Sequence, residues 1–169
     1  MKIGVLSDTH DNLVNLRRAV ASFAARGVGA VLHAGDFCSP FTLQEFAPLA
    51  EKGVKMHAVF GNNDGDRVLL VRRGGDFCDF SDGSATIELG GRRIVLMHYP
   101  DLAEALQRSG AYDLVIHGHN HQVRVEGASG KLVNPGTCSG YLAPRATVAV
   151  VDTDDLGVEI VDVTGEGAA

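Results

Sequence analysis

The stretch that decides the fold covers residues 2–36 and reads KIGVLSDTHDNLVNLRRAVASFAARGVGAVLHAGD. It opens with a short β-branched run, continues with apolar residues at helical spacing, and closes with a second short apolar run, "GAVLHAGD". Asn12 or Asp11 is placed to cap the helix, and Gly27 or Gly29 to end it. A strand, a helix and a strand in this order predict a βαβ unit with parallel pairing and a right-handed crossover.

The same alternation continues beyond residue 36. "SPFTLQEFAPLAEKG" predicts a helix capped by Ser39, with Pro40 at its first position and Pro48 shortening it, and "VKMHAVFGNND" predicts a third strand. After about residue 76 the pattern changes to hairpins, with a short helix from an Asp101 cap to Gly110 and a buried strand before His117 between them. The segments that predict hairpins are residues 85–99, 123–136 and 147–163. We therefore expect one layered α/β domain over residues 1–163, followed by a tail, 164–169, with too little apolar content to pack.

Composition narrows the class of protein. A chain of 169 residues suits one domain, and its net charge of −6 argues against strong binding to nucleic acid, which depends on cationic surface. No apolar run approaches the ~20 residues of a membrane span, and the opening does not resemble a signal peptide. The three cysteines are unrelated in spacing and predict no disulfide framework. A cytoplasmic location fits these features best.

Residues able to bind a metal follow one apolar run after another. They are Asp8 and His10, Asp36, Asn62 and Asp64, His98, and His119 and His121. A single Asp or His after a strand is usually a turn residue. Five such runs are hard to assign to chance, because ligands bind outside the carboxyl ends of the strands in an open α/β sheet.

In this order, the motifs Asp8-Thr9-His10, Gly35-Asp36, Gly61-Asn62-Asn63-Asp64, His98 and Gly118-His119-Asn120-His121 resemble those of the calcineurin-like metallophosphoesterases. The resemblance extends from residue 3 to about residue 150. "NPGT" at 134–137, followed by Arg145, is similar to the short stand-alone phosphodiesterases of bacteria and archaea. The implied fold is a four-layer αββα sandwich, in which helices flank two mixed β-sheets.

The resemblance also implies a site with two divalent ions. Asp8, His10, Asp36 and His121 would hold the first ion, and Asp36, Asn62, His98 and His119 the second, so that Asp36 bridges them. The mixture of imidazole, carboxylate and amide oxygen favours Mn, Fe, Co, Ni or Zn over Mg or Ca. The expected function is hydrolysis of a small phosphodiester, in which a hydroxide held by both metals attacks phosphorus.

One position departs from the family pattern. Many members have a histidine that contacts the phosphate where this chain has Asn63, and an amide cannot protonate a leaving group. Asn63 and the following Asp64 remain the catalytic candidates, although Asp64 without a histidine partner could serve only to brace its loop. Asn12 and Arg67 are candidates for substrate binding, Arg67 within a segment, residues 64–76, that we expect to form a loop over the site. We interpret His33, His57 and His117 as packing residues or, for His117, as a hydrogen-bond partner behind the ligands.

Three other functions stay open. The chain could be a phosphomonoesterase or a nucleotide pyrophosphohydrolase, although such relatives tend to carry extra segments for substrate recognition. It could also be a binding scaffold like the retromer subunit of similar fold, but that protein departs from the motifs at its ligand positions, whereas all seven ligand positions are intact here.

The oligomeric state also stays open. The short chain and its exposed hairpins allow a homodimer.

Overall fold

The computed structural model describes residues 1–127 and 131–165. The first βαβ unit is present as predicted. Strand β1 (Lys2–Leu6) pairs in parallel with β2 (Ala30–His33), and helix α1 (Leu13–Arg26) joins them. The Asn12 side chain caps α1 by accepting a hydrogen bond from the backbone N–H of Asn15 at 3.2 Å, and Gly27 ends it in a left-handed conformation with φ of 65°.

The remaining strands form two mixed sheets. Their bounds are β3 Lys55–Val59, β4 Cys78–Ser81, β5 Ser84–Leu89, β6 Arg92–Met97, β7 Leu114–Ile116, β8 Val123–Glu126, β9 Lys131–Pro135, β10 Thr147–Asp152 and β11 Val158–Asp162. The first sheet has the order β11-β10-β1-β2-β3-β4 and the second β5-β6-β7-β9-β8. Strands β1 to β4 are mutually parallel, as are β6, β7 and β9, while β5, β8, β10 and β11 pair antiparallel with their neighbours. The three predicted hairpins are β5–β6, β8–β9 and β10–β11, and the tip of the second, residues 128–130, lies outside the described residues.

Three apolar clusters show that the sheets and helices form four layers. Side chains such as Val5 and Leu32 of the first sheet meet Leu96 and Ile116 of the second in a core between the sheets. The outer face of the first sheet packs against α1 and the helices that follow it, with Phe23 fully buried. Helix α4 (Ala103–Ser109) covers the outer face of the second sheet. The predicted αββα sandwich is therefore confirmed.

The segment over residues 64–76 was expected to be a loop, and that expectation was wrong. Residues Arg67–Gly74 form helix α3, capped by the Asp66 side chain, which accepts from the backbone N–H of Leu69 at 2.9 Å. The helical pattern is weak because only Leu70 and Gly74 of this helix are buried. Strand β4, which follows α3 and pairs with β3, was not predicted either.

Two helix starts also differ from expectation. Asp101 does not cap α4, because Ala103 N–H bonds to the carbonyl of Pro100 at 3.0 Å and this turn delays the helix to residue 103. The segment after Ser39 forms a 3₁₀ helix over Pro40–Phe46 and then one α-helical turn, α2 (Ala47–Ala50). Ser39 occupies the cap position, but its hydroxyl donates to Asp11 at 2.6 Å instead of capping the helix.

At the end of the described chain, Thr164 accepts a hydrogen bond from Ala146 N–H at 3.0 Å, and Gly165 N–H donates to Asn15 at 2.8 Å. These two residues of the predicted tail are therefore held, while residues 166–169 lie outside the described range. Among the helices of the described residues, none has the length and apolarity needed to cross a membrane.

Candidate metal centre

The loops that carry the predicted ligands have an unusual backbone. Five of the seven ligands have φ in the left-handed region: Asp8 at 54°, His10 at 41°, Asp36 at 62°, His119 at 73° and His121 at 58°. Few residues other than glycine adopt this region, and each such residue costs on the order of 1–3 kcal/mol. The backbone is thus strained at the turns that direct these side chains into one site.

Glycine is needed beside these turns because the loops approach each other closely. Gly35 has φ of 96°, and a Cβ on Gly61 would collide with the Asp36 carboxylate. The Asp36 carboxylate can therefore lie directly against the loop after β3.

One half of the site contains Asp8, His10 and His121. The Nε2 atoms of His10 and His121 are 3.2 Å apart, and Asp8 Oδ1 lies 3.3 Å from His121 Nε2 and 3.8 Å from His10 Nε2. Asp8 is fully buried, and its other oxygen accepts from the backbone N–H of His119 at 3.1 Å. This places three potential ligand atoms around one point.

The other half contains Asn62, His98 and His119. His98 Nε2 is 3.0 Å from Asn62 Oδ1 and 3.2 Å from His119 Nδ1. Asp36 lies between the halves, with Oδ2 at 3.7 Å from His10 Nε2 and 3.6 Å from His98 Nε2. The structure therefore brings all seven predicted ligands together and sets Asp36 at the position required of a bridge.

The donor atoms fit a cation. Nδ1 of His98 lies 2.8 Å from the carbonyl of Ala34, and Nδ1 of His121 lies 2.9 Å from that of Tyr141. Each Nδ1 must therefore carry the proton, which leaves the Nε2 lone pairs facing inward. Asp8 Oδ1 is buried and has no hydrogen-bond partner within the described part of the chain. Lone pairs and an orphaned carboxylate oxygen that converge in this way are the arrangement that divalent metals bind.

Protons and cations would compete for this site. Burial opposes the charge of Asp8, but the neighbouring imidazoles of His10 and His121 outweigh it and lower the pKa of Asp8 well below its ordinary value. The Asp8 carboxylate in turn raises the pKa of His121. A protonated His121 cannot bind a metal through Nε2, so acid would oppose metal binding at this half of the site.

The two catalytic candidates lie at different depths. Asn63 lines the open pocket of about 280 Å³ that the ligands face, and its side-chain N–H donates to Asp36 at 2.8 Å. Asp64 is buried beneath the loop and accepts backbone N–H groups from Gly61 at 2.7 Å, Cys38 at 3.0 Å and Asp36 at 3.2 Å. Asp64 does not line the pocket, so its position favours the bracing role over contact with substrate.

Neither candidate for substrate binding lines the pocket. The Asn12 amide is nearly buried, where it caps α1 and donates to the carbonyl of Ser139 at 2.8 Å. Arg67 lies at the start of α3, donating to the carbonyl of Gly61 and to Asp82, each at 3.1 Å, with its guanidinium over the ring of Phe60. Both side chains are committed to supporting the loops.

The other histidines lie outside the pocket. His33 is fully buried, stacked on Phe37, and its Nδ1 accepts from the backbone N–H of Gly35 at 3.1 Å. His117 is also buried, with Nδ1 donating to the carbonyl of Gly118 at 3.1 Å, and His57 lies 3.5 Å from Asp79 on β4.

The cysteine nearest to the ligands is Cys38, whose Sγ lies 3.4 Å from His10 Nδ1. Burial, together with the surrounding carboxylates, raises the pKa of Cys38 to about 12, which favours its thiol form.

Sequence reasoning missed several contributors to the site. The carbonyls of Ala34 and Tyr141 orient ligands through the backbone, and so have no side-chain signal. Thr137 of the NPGT segment donates to the carbonyl of Asp8 at 2.9 Å and holds the first ligand loop. Tyr99 stacks edge-on against His119, and Leu142 stands at the pocket rim. The available signals in the sequence were the NPGT segment for Thr137 and the position of Tyr99 directly after His98.

The four-layer fold and the convergent ligand set define a phosphoesterase-type metal centre on an α/β sandwich. Residues 1–156 match the model of the calcineurin-like phosphoesterase superfamily domain, and the chain belongs to this family.

Relatives and solved structures agree with this assignment. The chain is 38% identical over 159 residues to a phosphodiesterase of Methanocaldococcus jannaschii, an alignment that covers 91% of this chain and 94% of that protein. The solved structure of an archaeal phosphodiesterase superposes with a TM-score of 0.88 at 34% identity, covering 96% of this chain and 99% of the other. Vps29 of Entamoeba histolytica, solved with Zn²⁺, has a TM-score of 0.64 at 20% identity, covering 97% of this chain and 100% of the other, a likeness that shows the fold alone.

The buried His33 generates a prediction about pH. Burial lowers the pKa of His33 to about 3, against an ordinary value of 6.5, so between these values the unfolded chain binds a proton that the folded chain does not. Stability should therefore fall with acid across this window, with His33 contributing up to about 1.4 kcal/mol per pH unit. We expect His33→Asn to be less stable at pH 7 but to show a shallower loss between pH 6.5 and 4, measured by urea unfolding in EDTA. Equal slopes for the two proteins would contradict this role of His33.

Proposed function

We propose that the protein is a metal-dependent phosphodiesterase that binds two divalent ions at the site described above. The observation that carries the proposal is the position of Asp36, whose Oδ2 lies 3.7 Å from a ring nitrogen of one ligand group and 3.6 Å from that of the other. A carboxylate shared in this way supports a two-metal site. Family membership and the 38% identity to a phosphodiesterase over most of both chains support the same reaction class.

Asp8, His10, Asp36 and His121 would hold one ion, and Asp36, Asn62, His98 and His119 the other. When bound, the two ions would supply Lewis acidity toward the phosphoryl oxygens and a hydroxide as nucleophile at neutral pH. The carbonyls of Ala34 and Tyr141 hold His98 and His121 in one tautomer, and the neighbouring imidazoles lower the pKa of Asp8 and so favour its ionised form. The ligands would therefore need little rearrangement to bind the metals.

Asn63 is the residue of this chain placed to contact the substrate. Its amide lines the pocket and donates to Asp36, so it can offer a hydrogen bond to a phosphoryl or ester oxygen but no proton to a leaving group. The reaction should consequently favour esters whose leaving group departs as a stable anion.

The other functions receive less support. A scaffold without activity has no need for seven convergent ligands, five of them on strained backbone. Within the described residues the pocket is lined by metal ligands, Asn63, Asn120 and Leu142, with no Lys or Arg to hold the second negative charge of a monoester. The identity of the metal, a homodimeric state and the cytoplasmic location stay predictions.

The first test compares a diester with a monoester that has the same leaving group. We expect bis(p-nitrophenyl) phosphate to be hydrolysed faster than p-nitrophenyl phosphate, because the pocket lacks a cationic side chain for the additional charge. Turnover is followed by nitrophenolate release with Mn, Ni, Co, Zn and Mg in turn and with EDTA as the blank. Equal or faster hydrolysis of the monoester would indicate a phosphatase, and inactivity with every metal would favour the scaffold.

Replacement of the bridging residue tests the metal assignment. Asp36→Asn removes the charge shared by both ligand groups, so we expect metal content to fall from two ions per chain to none. Metal analysis of the purified proteins after dialysis measures this directly. The matched control is His57→Asn, whose side chain pairs with Asp79 away from the pocket and whose loss should leave two ions bound. Full occupancy in Asp36→Asn would show that Asp36 is not the bridge.

The absence of a proton-donating side chain at position 63 generates a further prediction. In Asn63→His, an imidazole at the pocket wall could protonate the leaving oxygen, an effect worth ~10²–10⁴-fold in general-acid catalysis. The gain in kcat/KM should be large for alkyl or nucleoside leaving groups and small for nitrophenolate. Asp64 would not help to orient this histidine, since its carboxylate is bonded to backbone N–H groups. The measurement is a leaving-group series for both proteins at fixed metal, and parallel dependences would show that position 63 does not face the leaving group.

A further inference from the structure

A second cavity opens directly beside the candidate metal centre. It has a volume of about 400 Å³, within the range of about 300–1,000 Å³ typical of small-molecule sites, and shares His121 and Leu142 with the metal pocket. We call it the side groove; besides His121 and Leu142 it is lined by the apolar residues Val123, Ala143 and Pro144 and by the polar residues Gln122, Arg145 and Thr147. The two cavities are therefore adjacent, with His121 and Leu142 common to both.

Leu142 lies at the junction of the two cavities in an energetically unfavourable conformation. Its side chain is 98% exposed, and its φ is 58°, a left-handed conformation that is a clear outlier for a bulky residue. An exposed leucine on strained backbone contributes nothing to folding, and strain of this kind concentrates at functional sites. A ligand in the side groove would cover this apolar surface.

The turn that presents Leu142 is built into the metal centre. The carbonyl of Tyr141 accepts from His121 Nδ1 at 2.9 Å, and the backbone N–H of Tyr141 donates to Ser139 at 3.2 Å. Leu142 is thus held in a defined position relative to a proposed metal ligand.

The geometry of displacement at phosphorus shows which part of a substrate would lie in the side groove. The leaving group must lie opposite the attacking oxygen, whereas the substituent that stays on phosphorus lies off this axis and has to exit sideways. The side groove begins at His121 and Leu142, which it shares with the metal pocket. Its apolar lining residues, Val123, Ala143 and Pro144, suit an uncharged ring.

We propose that the side groove binds the retained substituent of the diester and selects an uncharged aryl or nucleoside group, with Leu142 packing against its ring. Arg145, at the groove wall, lies 3.8 Å from Asp162, which disfavours a second phosphate there. This inference rests on the proposed phosphodiesterase function and adds the class of substituent that the enzyme retains.

The test keeps the leaving group constant and varies the retained substituent. Methyl, phenyl and thymidine 5′ esters of p-nitrophenyl phosphate all release nitrophenolate, so differences in kcat/KM report on the retained group. Wild-type protein should prefer the phenyl and thymidine esters over the methyl ester. In Leu142→Ala this preference should fall about 10-fold, the low end of what one methylene contributes in an apolar pocket, through KM rather than kcat. Val68→Ala, which truncates an exposed side chain on α3, should leave the preference unchanged.

Two further measurements separate contact with substrate from effects on the backbone. Leu142→Asn suits the left-handed conformation and should lose the preference as Leu142→Ala does, and so should Val123→Thr, which keeps the strand and removes only apolar surface. By calorimetry on the metal-loaded protein, phenyl phosphate should bind more tightly than methyl phosphate, and Leu142→Ala should remove most of the difference.

The failures are distinguishable. If wild-type protein hydrolyses none of the diesters, the proposed function falls, and this inference with it. If the diesters are hydrolysed but the ratio of phenyl to methyl ester is the same in wild type and Leu142→Ala, the side groove does not bind the retained group. An equal loss for all three esters, with reduced metal content, would mean that the turn acts only by positioning His121.

Discussion

The whole site depends on the buried Asp64 carboxylate. It accepts hydrogen bonds from the backbone of Asp36 and Cys38 after β2 and of Gly61 after β3, and so joins the ends of two neighbouring parallel strands. Carboxylate bonds to backbone N–H groups are charge-assisted and strong, and here they are shielded from water. They hold Asp36 between the two ligand groups, where its carboxylate accepts hydrogen bonds from Asn63.

A similar arrangement supports the first ligand loop from the opposite side. Thr137 and Ser139, after β9, bond to the backbone of Asp8, and Asn12 and Asn15 of the α1 region bond to the carbonyl of Ser139. These contacts join the two sheets at the edge where the ligands emerge. Strained left-handed backbone at five ligands can therefore persist, because the surrounding hydrogen bonds over-determine the loops.

The same rigidity bears on catalysis. Ligands preset in tautomer and direction reduce the rearrangement needed for metal binding, and a pocket with few polar groups beyond the ligands leaves specificity to its rim. In this chain Leu142 stands at the rim of the pocket, and Tyr99 packs against His119; both side chains are exposed. The proposed chemistry and the proposed selectivity would therefore lie on different loops, the first at the strand ends and the second on the turn after Ser139.

Prediction from sequence succeeded where local pattern and local structure coincide. The βαβ unit, the Asn12 cap and the three hairpins depend on periodicity and turn residues within a few positions of each other, and all are present. It failed at α3, where a single buried turn leaves little periodicity, and at Asp101, where a turn after Pro100 displaces the helix start. The two candidates for substrate binding, Asn12 and Arg67, bond to the protein's own loops, and their contact with substrate stays a prediction.

The sequence by itself determined the fold class and the ligand types. Parallel strands all end at one edge of a sheet, so Asp, His and Asn after successive strands must come close together whatever the details of the loops. Only the tertiary structure decided which lone pairs face the centre, that the Asp64 carboxylate bonds to backbone N–H groups of two loops, and that Leu142 stands at a groove beside the candidate metal site. Those features arise from backbone carbonyls, left-handed turns and contacts between residues more than a hundred positions apart, such as Thr137 with Asp8. They cannot be predicted from the order of side chains along the chain, because they depend on how distant segments pack.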